Sequence, residues 1–357
     1  MLRHSLRITL LLLMTVLLVF THRLSASTPA ELKGFVDSKI LQIVLPDWFV
    51  DVSIAPDMQE YLANAKAAGK KGLIVNYETN GCSYCQLFID TTLQESDIVA
   101  TIQQNYDMLG FEMFRDDEMV DFEGNTVPVK DFVKSQGVQY TPTSIFYDLS
   151  GNRLFKAAGY YDPGRFRMAL DYVLGGHSKK VSFRDWSLAQ QTVSRQPAKL
   201  AGDPMFEKPP HLLARNAFPA DRPLMVLFER GDCAACEEWH RDVFSDARIR
   251  GIAGEFSIVQ LDMNDAASKL VKPDGKPSTP AVWAEELQLS YAPSIVLFDE
   301  HGNMRQLIDF PVLHNRFERS MTYMTEQAYA RGYTYQRWTR EKTAERLQKE
   351  AAQQQAN

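Results

Sequence analysis

The chain has 357 residues, with 39 basic and 45 acidic side chains and a net charge of −6. An acidic chain of this kind offers no broad cationic face to a phosphate backbone, which argues against nucleic-acid binding, and its length exceeds what a single core usually organises, so two domains are expected. The four cysteines fall into two close pairs, Cys82/Cys85 and Cys233/Cys236. That pattern excludes a disulfide scaffold, because a loop closed over two residues staples little, whereas such a pair suits opening and closing during chemistry.

Residues 1–27 read as a secretory leader. Arg3 and Arg7 precede an apolar run from Ile8 to Phe20, which is followed by His22, Arg23 and the small residues Ser25-Ala26-Ser27. The run is shorter than the roughly 20 residues needed to span a bilayer, which favours a cleaved signal peptide, with an inner-membrane anchor through residues 8–20 as the alternative. Loss of the leader removes three arginines and no acid, leaving the exported chain more acidic still. Export would place it in an oxidising compartment, the periplasm, where dithiol exchange is a usable reaction.

The remainder is organised by a repeat. Cys82, Cys85 and Pro142 return 151 residues later as Cys233, Cys236 and Pro293, and Tyr140, Asp148, Gly151 and Asn152 return at the same offset as Tyr291, Asp299, Gly302 and Asn303. The first copy, within residues 28–175, opens on an apolar strand at 72–77 that leads into CxxC. A helical pattern follows through Cys85, Phe88 and Ile89, then a strand near 106–113, Tyr-x-Pro, a strand at 143–147, a Gly-Asn hairpin turn and a closing helix at 163–174. Residues 176–211 contain Pro197, Pro204 and Pro209-Pro210 with little apolar periodicity and read as a linker that permits domain motion. The second copy, within 212–332, repeats the order with strands at 224–228, 257–263 and 294–298 and a helix at 315–329. Residues 333–357 read as a charged, solvated helical tail.

The first cysteine of each pair falls at the first turn of a helix, where unpaired backbone N–H groups and the helix dipole stabilise a thiolate. Cys82 and Cys233 are therefore the expected nucleophiles, and Cys85 and Cys236, one turn on and less exposed, the resolving thiols. His240, four residues after Cys236, reads as an exposed helix histidine rather than a metal ligand, and no metal site is expected.

The order of these elements, α/β with a central mixed sheet flanked by helices, resembles the thioredoxin fold, twice in tandem. The first copy is similar to the periplasmic thioredoxins associated with sulfur-oxidation clusters, through Leu45-Pro-Asp-Trp48, Glu78-Thr-Asn-Gly-Cys-Ser-Tyr-Cys85 and Tyr140-Thr-Pro-Thr143. The resemblance implies cis peptides before Pro142 and Pro293, with the backbone of Thr141 and Ala292 presented to an extended substrate segment. It also marks a departure. The family's acid six residues before the first cysteine is replaced by Asn76 and Leu227, leaving Glu78 and Glu229 as candidate proton acceptors or as surface carboxylates at strand ends.

The dipeptides Ser83-Tyr84 and Ala234-Ala235 match neither typical reducing thioredoxins nor the oxidant DsbA, and Ala-Ala is closer to the Val-Ala of the reducing C-terminal domain of DsbD. No cation lies close in sequence to the first pair, and acids predominate around the second. The expectation is thus a periplasmic thiol-disulfide oxidoreductase without a bound cofactor, reducing disulfides of exported proteins with electrons from a DsbD-like membrane partner. A disulfide isomerase, or a thioredoxin-fold scaffold with an inactive second copy, are the alternatives.

Overall fold

The computed structural model describes residues 42–190 and 199–356. The leader at 1–27 lies outside the described residues, and among those described no helix is long and apolar enough to cross a membrane.

The first copy runs α1 (Met58–Ala67), β1 (Gly72–Glu78), α2 (Ser83–Asp90), α3 (Ser96–Asn105), β2 (Tyr106–Glu112), the short strands β3 (Glu118–Val120) and β4 (Thr126–Pro128), α4 (Val129–Ser135), β5 (Thr143–Asp148), β6 (Arg153–Ala158) and α5 (Pro163–Leu174). Its sheet has the order β2-β1-β5-β6, with β1 parallel to β2 and antiparallel to β5. Every residue of β1 is buried, as a central strand covered on both faces requires, and its sequence is correspondingly apolar rather than alternating. The predicted closing helix occupies the expected residues, with Asp162 capping it through Arg165 N and Pro163 in its first turn.

After α6 (Phe183–Gln190) comes the second copy: β7 (His211–Leu212), β8 (Leu224–Glu229), α7 (Ala234–Trp239), α8 (Ala247–Ala253), β9 (Ser257–Asp262), β10 (Leu270–Val271), β11 (Pro277–Ser278), α9 (Pro280–Glu286), β12 (Ser294–Phe298), β13 (Met304–Ile308), α10 (His314–Thr325) and α11 (Tyr335–Ala356). The sheet order β9-β8-β12-β13 reproduces the first. The 151-residue offset carries into the cores, where Phe166 of α5 and Phe317 of α10 are both fully buried, each contributing about 2–3 kcal/mol. Both predicted hairpins form with a glycine in the left-handed region, Gly151 at φ 77° and Gly302 at φ 79°. The second closing helix ends earlier than the sequence suggests, at Thr325, and a single 3-10 turn follows over Ala328–Arg331.

Two sequence expectations are corrected. The described parts of the stretch, 176–190 and 199–211, are anchored rather than free, because Phe183 and Trp186 of α6 pack on the first core, Asp203 pairs with Arg250 of the second copy (2.8 Å), and His211–Leu212 pairs with β10. The tail is not simply solvated either. Trp338 is buried in the second core, Gln336 donates to the Val138 carbonyl of the first copy (3.0 Å), and the Arg340 guanidinium lies 4.7 Å from the Phe114 ring.

The two copies are therefore packed together. Phe310 of the second lies against Gly159 of the first, so close that a Cβ at Gly159 would meet the ring at 2.3 Å, and Gly159 and Phe310 occupy matched repeat positions. Tyr140 of the first copy is buried within the second core and donates its hydroxyl to Gln306 Oε1. Arg165 of the first copy reaches Ser290 and Asp309 of the second, and its repeat counterpart Arg316 reaches back to Thr141 of the first. Matched residues crossing in both directions give the contact an approximate twofold character.

Candidate active site

Each CxxC begins a helix as the spacing demands. Cys82 is the N-cap of α2 and its Sγ accepts from Cys85 N at 3.1 Å; Cys233 caps α7 in the same way, accepting from Cys236 N at 3.0 Å. These are the donors that stabilise a thiolate at the first sulfur. The pairs are disulfide-bonded, with S–S distances of 2.12 and 2.09 Å.

The peptides Thr141–Pro142 and Ala292–Pro293 are cis. In each copy the residue before proline presses on the first sulfur, with Cys82 Sγ 3.5 Å from Thr141 O and Cys233 Sγ 3.4 Å from Ala292 O. Thr141 also donates its hydroxyl to Cys82 Sγ (3.4 Å), a bond Ala292 lacks. Cys82 and Cys233 are 8% and 4% exposed against 1% and 3% for Cys85 and Cys236, and packing around each first sulfur leaves a narrow approach.

The glutamates are not surface carboxylates. Glu78 and Glu229 are 5% and 1% exposed. Glu78 stands beside Glu112 on the neighbouring strand and, among the described residues, has only a long contact from Asn76 Nδ2 (3.5 Å). Burial first, and the Glu112 charge second, push its carboxyl up to about 8, so it exchanges a proton near neutrality. Glu229 instead is satisfied by His240 Nε2 and Gln260 Nε2, each at 2.8 Å. His240 is thereby not the exposed histidine the sequence suggested but the partner of a buried acid, and among the described residues no group of three or more metal-ligating side chains forms.

Arg316 is the residue that sequence reading missed. It lies on α10 of the second copy and donates from Nη2 to Thr141 O at 2.8 Å, while its guanidinium stacks 3.9 Å from the ring of Tyr84, inside the first CxxC. Leu313 N completes the contact by donating to the Tyr84 hydroxyl at 3.0 Å. No cation lies close in sequence to the first pair, and it is the tertiary structure that brings one there, from a residue 175 positions beyond Thr141. Both active-site loops line one cleft of about 920 Å³, to which Cys82, Tyr84, Arg316, Ala235, Trp239 and Pro293 contribute and which Cys233 does not line.

The profile of the thioredoxin-like domain family matches residues 58–174 and 214–324, more than half of the sequence. The chain belongs to that family, as a tandem of two such domains. Similar solved structures include a thioredoxin-fold protein from Helicobacter pylori, at 21% identity over 40% of this chain and 86% of that one, with a TM-score of 0.31. The C-terminal domain of DsbD from Neisseria meningitidis is 14% identical over 30% of this chain and 84% of that one (TM-score 0.23). The first two thioredoxin domains of Eps1p from Saccharomyces cerevisiae are 11% identical over 75% and 94% (TM-score 0.24). No curated protein sequence matches. With two CxxC pairs built onto this fold, the chain is a thiol-disulfide oxidoreductase.

Proposed function

We propose that the protein reduces disulfides of exported proteins in the periplasm, re-reduced by a DsbD-like dithiol donor in the membrane. The observation that carries this is the first sulfur of each pair, held as a helix N-cap by a backbone N–H and backed by the carbonyl that precedes a cis proline. In the forward step the Cys82 or Cys233 thiolate attacks a substrate disulfide, forming a mixed disulfide and releasing one substrate thiolate, which takes up a proton. The Cys85 or Cys236 thiolate then attacks the first sulfur, releasing the second substrate thiol and leaving the protein disulfide, so two electrons pass to the substrate. The carboxyl of Glu78, with its proton exchanging near neutrality, suits it to the proton traffic of the first site.

Equilibration of each pair against glutathione, in full-length protein with the other pair changed to serine, tests the direction. Potentials nearer the roughly −270 mV of thioredoxin than the roughly −120 mV of DsbA are expected, and values at the DsbA end would overturn reduction in favour of oxidation. An isomerase is the second reading, favoured by the single cleft that both active-site loops line, since an isomerase must hold a substrate at one sulfur while another attacks. It predicts recovery of activity from a scrambled substrate that is lost when either pair is removed.

A further inference from the structure

The repeat places an arginine at matched positions in both closing helices, yet the two side chains do different things. Arg316 crosses to the first site and donates to Thr141 O (2.8 Å), the carbonyl 3.5 Å from the Cys82 sulfur, while stacking on Tyr84. Arg165 crosses the other way but stops short of Ala292. Its Nη2 donates to Ser290 Oγ (2.8 Å) and Asp309 Oδ2 (3.2 Å), and its guanidinium lies 4.1 Å from the Tyr161 ring.

Two substitutions between the copies account for the difference. Asp309 stands where the first copy has Ala158, and it also accepts from Ser290 N, Tyr291 N and Ser294 Oγ, so it is a fixed acceptor that captures Arg165. Ala235 stands where the first copy has Tyr84, so the second CxxC offers no ring for a guanidinium to stack on.

A polypeptide disulfide bonded to Cys82 or Cys233 brings its own backbone alongside the carbonyl that abuts that sulfur, and an extended segment would use that carbonyl as its first acceptor, as in strand addition. At the second site, among the described residues, no guanidinium from the other copy is placed on Ala292 O, which lies 3.4 Å from Cys233 Sγ. At the first, the guanidinium of Arg316 already occupies the acceptor, and the Leu313 to Tyr84 bond (3.0 Å) fixes α10 across the same lane.

We infer that Arg316 is a specificity-determining residue that closes the peptide-docking edge of the first site, so that the second pair takes extended polypeptide disulfides and the first pair takes compact, low-molecular-weight disulfides that reach Cys82 through the shared cleft. The inference rests on the reductase reading but extends it by assigning the two sites different substrate classes.

The test is single-turnover oxidation of pre-reduced full-length protein carrying Cys233→Ser and Cys236→Ser, mixed with either a linear disulfide-bonded peptide or glutathione disulfide. Arg316→Ala should raise the ratio of the peptide rate to the glutathione disulfide rate about tenfold, the equivalent of ~1.4 kcal/mol for one freed acceptor. Arg316→Lys, which keeps the charge but loses the stacked fork, should gain part of that ratio. The mirror protein, with Cys82→Ser and Cys85→Ser, should react with the peptide faster than the first site does.

An unchanged ratio in Arg316→Ala, with glutathione disulfide still reduced, would overturn the inference alone. Loss of both rates in Arg316→Ala with both restored in Arg316→Lys would also overturn it, since Arg316 would then act only as a charge on the thiolate. A first pair that reduces neither probe in the parent protein would overturn the reductase reading at that site.

Discussion

The two copies share a sheet order, a sulfur N-cap and a cis proline, and they diverge in what surrounds those parts. At the first site a buried glutamate lacks a close partner among the described residues and keeps its proton to about pH 8, a tyrosine sits inside CxxC, and an arginine from the other copy grips the carbonyl beside the nucleophile. At the second site the matching glutamate is held by His240 and Gln260, CxxC holds two alanines, and the matching arginine is drawn off by Asp309. Duplication conserved the parts that make a cysteine nucleophilic. Divergence fell on the parts that decide what reaches it and how its protons move, and packing the copies face to face let each alter the other's site.

The largest effect expected from this comparison is on turnover. Cys82→Ser in protein lacking the second pair, and Cys233→Ser in protein lacking the first, should each lower disulfide reduction by roughly 10³-fold or more, because neither copy has a substitute nucleophile. Cys85→Ser and Cys236→Ser should instead accumulate mixed disulfides, visible on non-reducing gels. A second copy that traps nothing would make it the inactive scaffold and break the equivalence of the pair.

Next comes the interface. Asp309→Ala strips a mostly buried Arg165 of its carboxylate and four other donors of their acceptor, and should cost about 2–4 kcal/mol in chemical denaturation. Arg316→Ala, removing a half-buried guanidinium with one hydrogen bond, should cost roughly 1–2 kcal/mol. Equal costs would mean that the two crossing arginines are not anchored differently.

Third, Glu78 gives the first copy its own dependence on pH. A carboxyl raised from 4.5 to about 8 on folding holds its proton more tightly in the native state, so its contribution is fully present below about pH 4.5 and declines as pH rises towards 8. The loss on that interval is at most roughly 4 kcal/mol. Glu78→Gln should flatten the decline when stability is measured between pH 5 and 8. An unchanged slope would place the pH dependence elsewhere.

The smallest effect is on potential. Cys82 has Arg316 one carbonyl oxygen away, whereas Cys233 has Asp232 beside it and Glu237 and Glu238 after its partner, so the first thiolate is the better stabilised. A better stabilised thiolate favours the reduced form, and the second pair should be the more reducing by about 30 mV, or ~1.4 kcal/mol. Electrons entering at the second pair would then run downhill to the first. Glutathione titration of each single-pair protein checks the order, and a first pair equally or more reducing would sink the internal relay.

Much of this molecule was readable from its amino acids because the relevant signals are local or periodic. The 151-residue offset located both copies, and an apolar strand running into CxxC placed each sulfur at a helix start, since chain direction and hydrogen-bonding geometry leave little choice there. The start of the first closing helix at Pro163 was legible for the same reason. The proline-rich stretch misled because composition does not reveal that Phe183 and Trp186 find an existing core to cover. The surface reading of the glutamates and the exposed reading of His240 failed because burial depends on neighbouring strands and helices, here Glu112 and Gln260.

The sequence by itself determined the family, the two redox pairs and the prolines beside them, because each follows from spacing within one copy. Only the tertiary structure decided how the copies bear on one another. Arg316 and Thr141 are 175 residues apart, and Leu313 and Tyr84 are 229 apart. No periodicity spans such distances. Their meeting depends on two closed folds burying matched surfaces against each other, around Phe310 on Gly159, and that packing fixes which docking edge an arginine of the other copy covers.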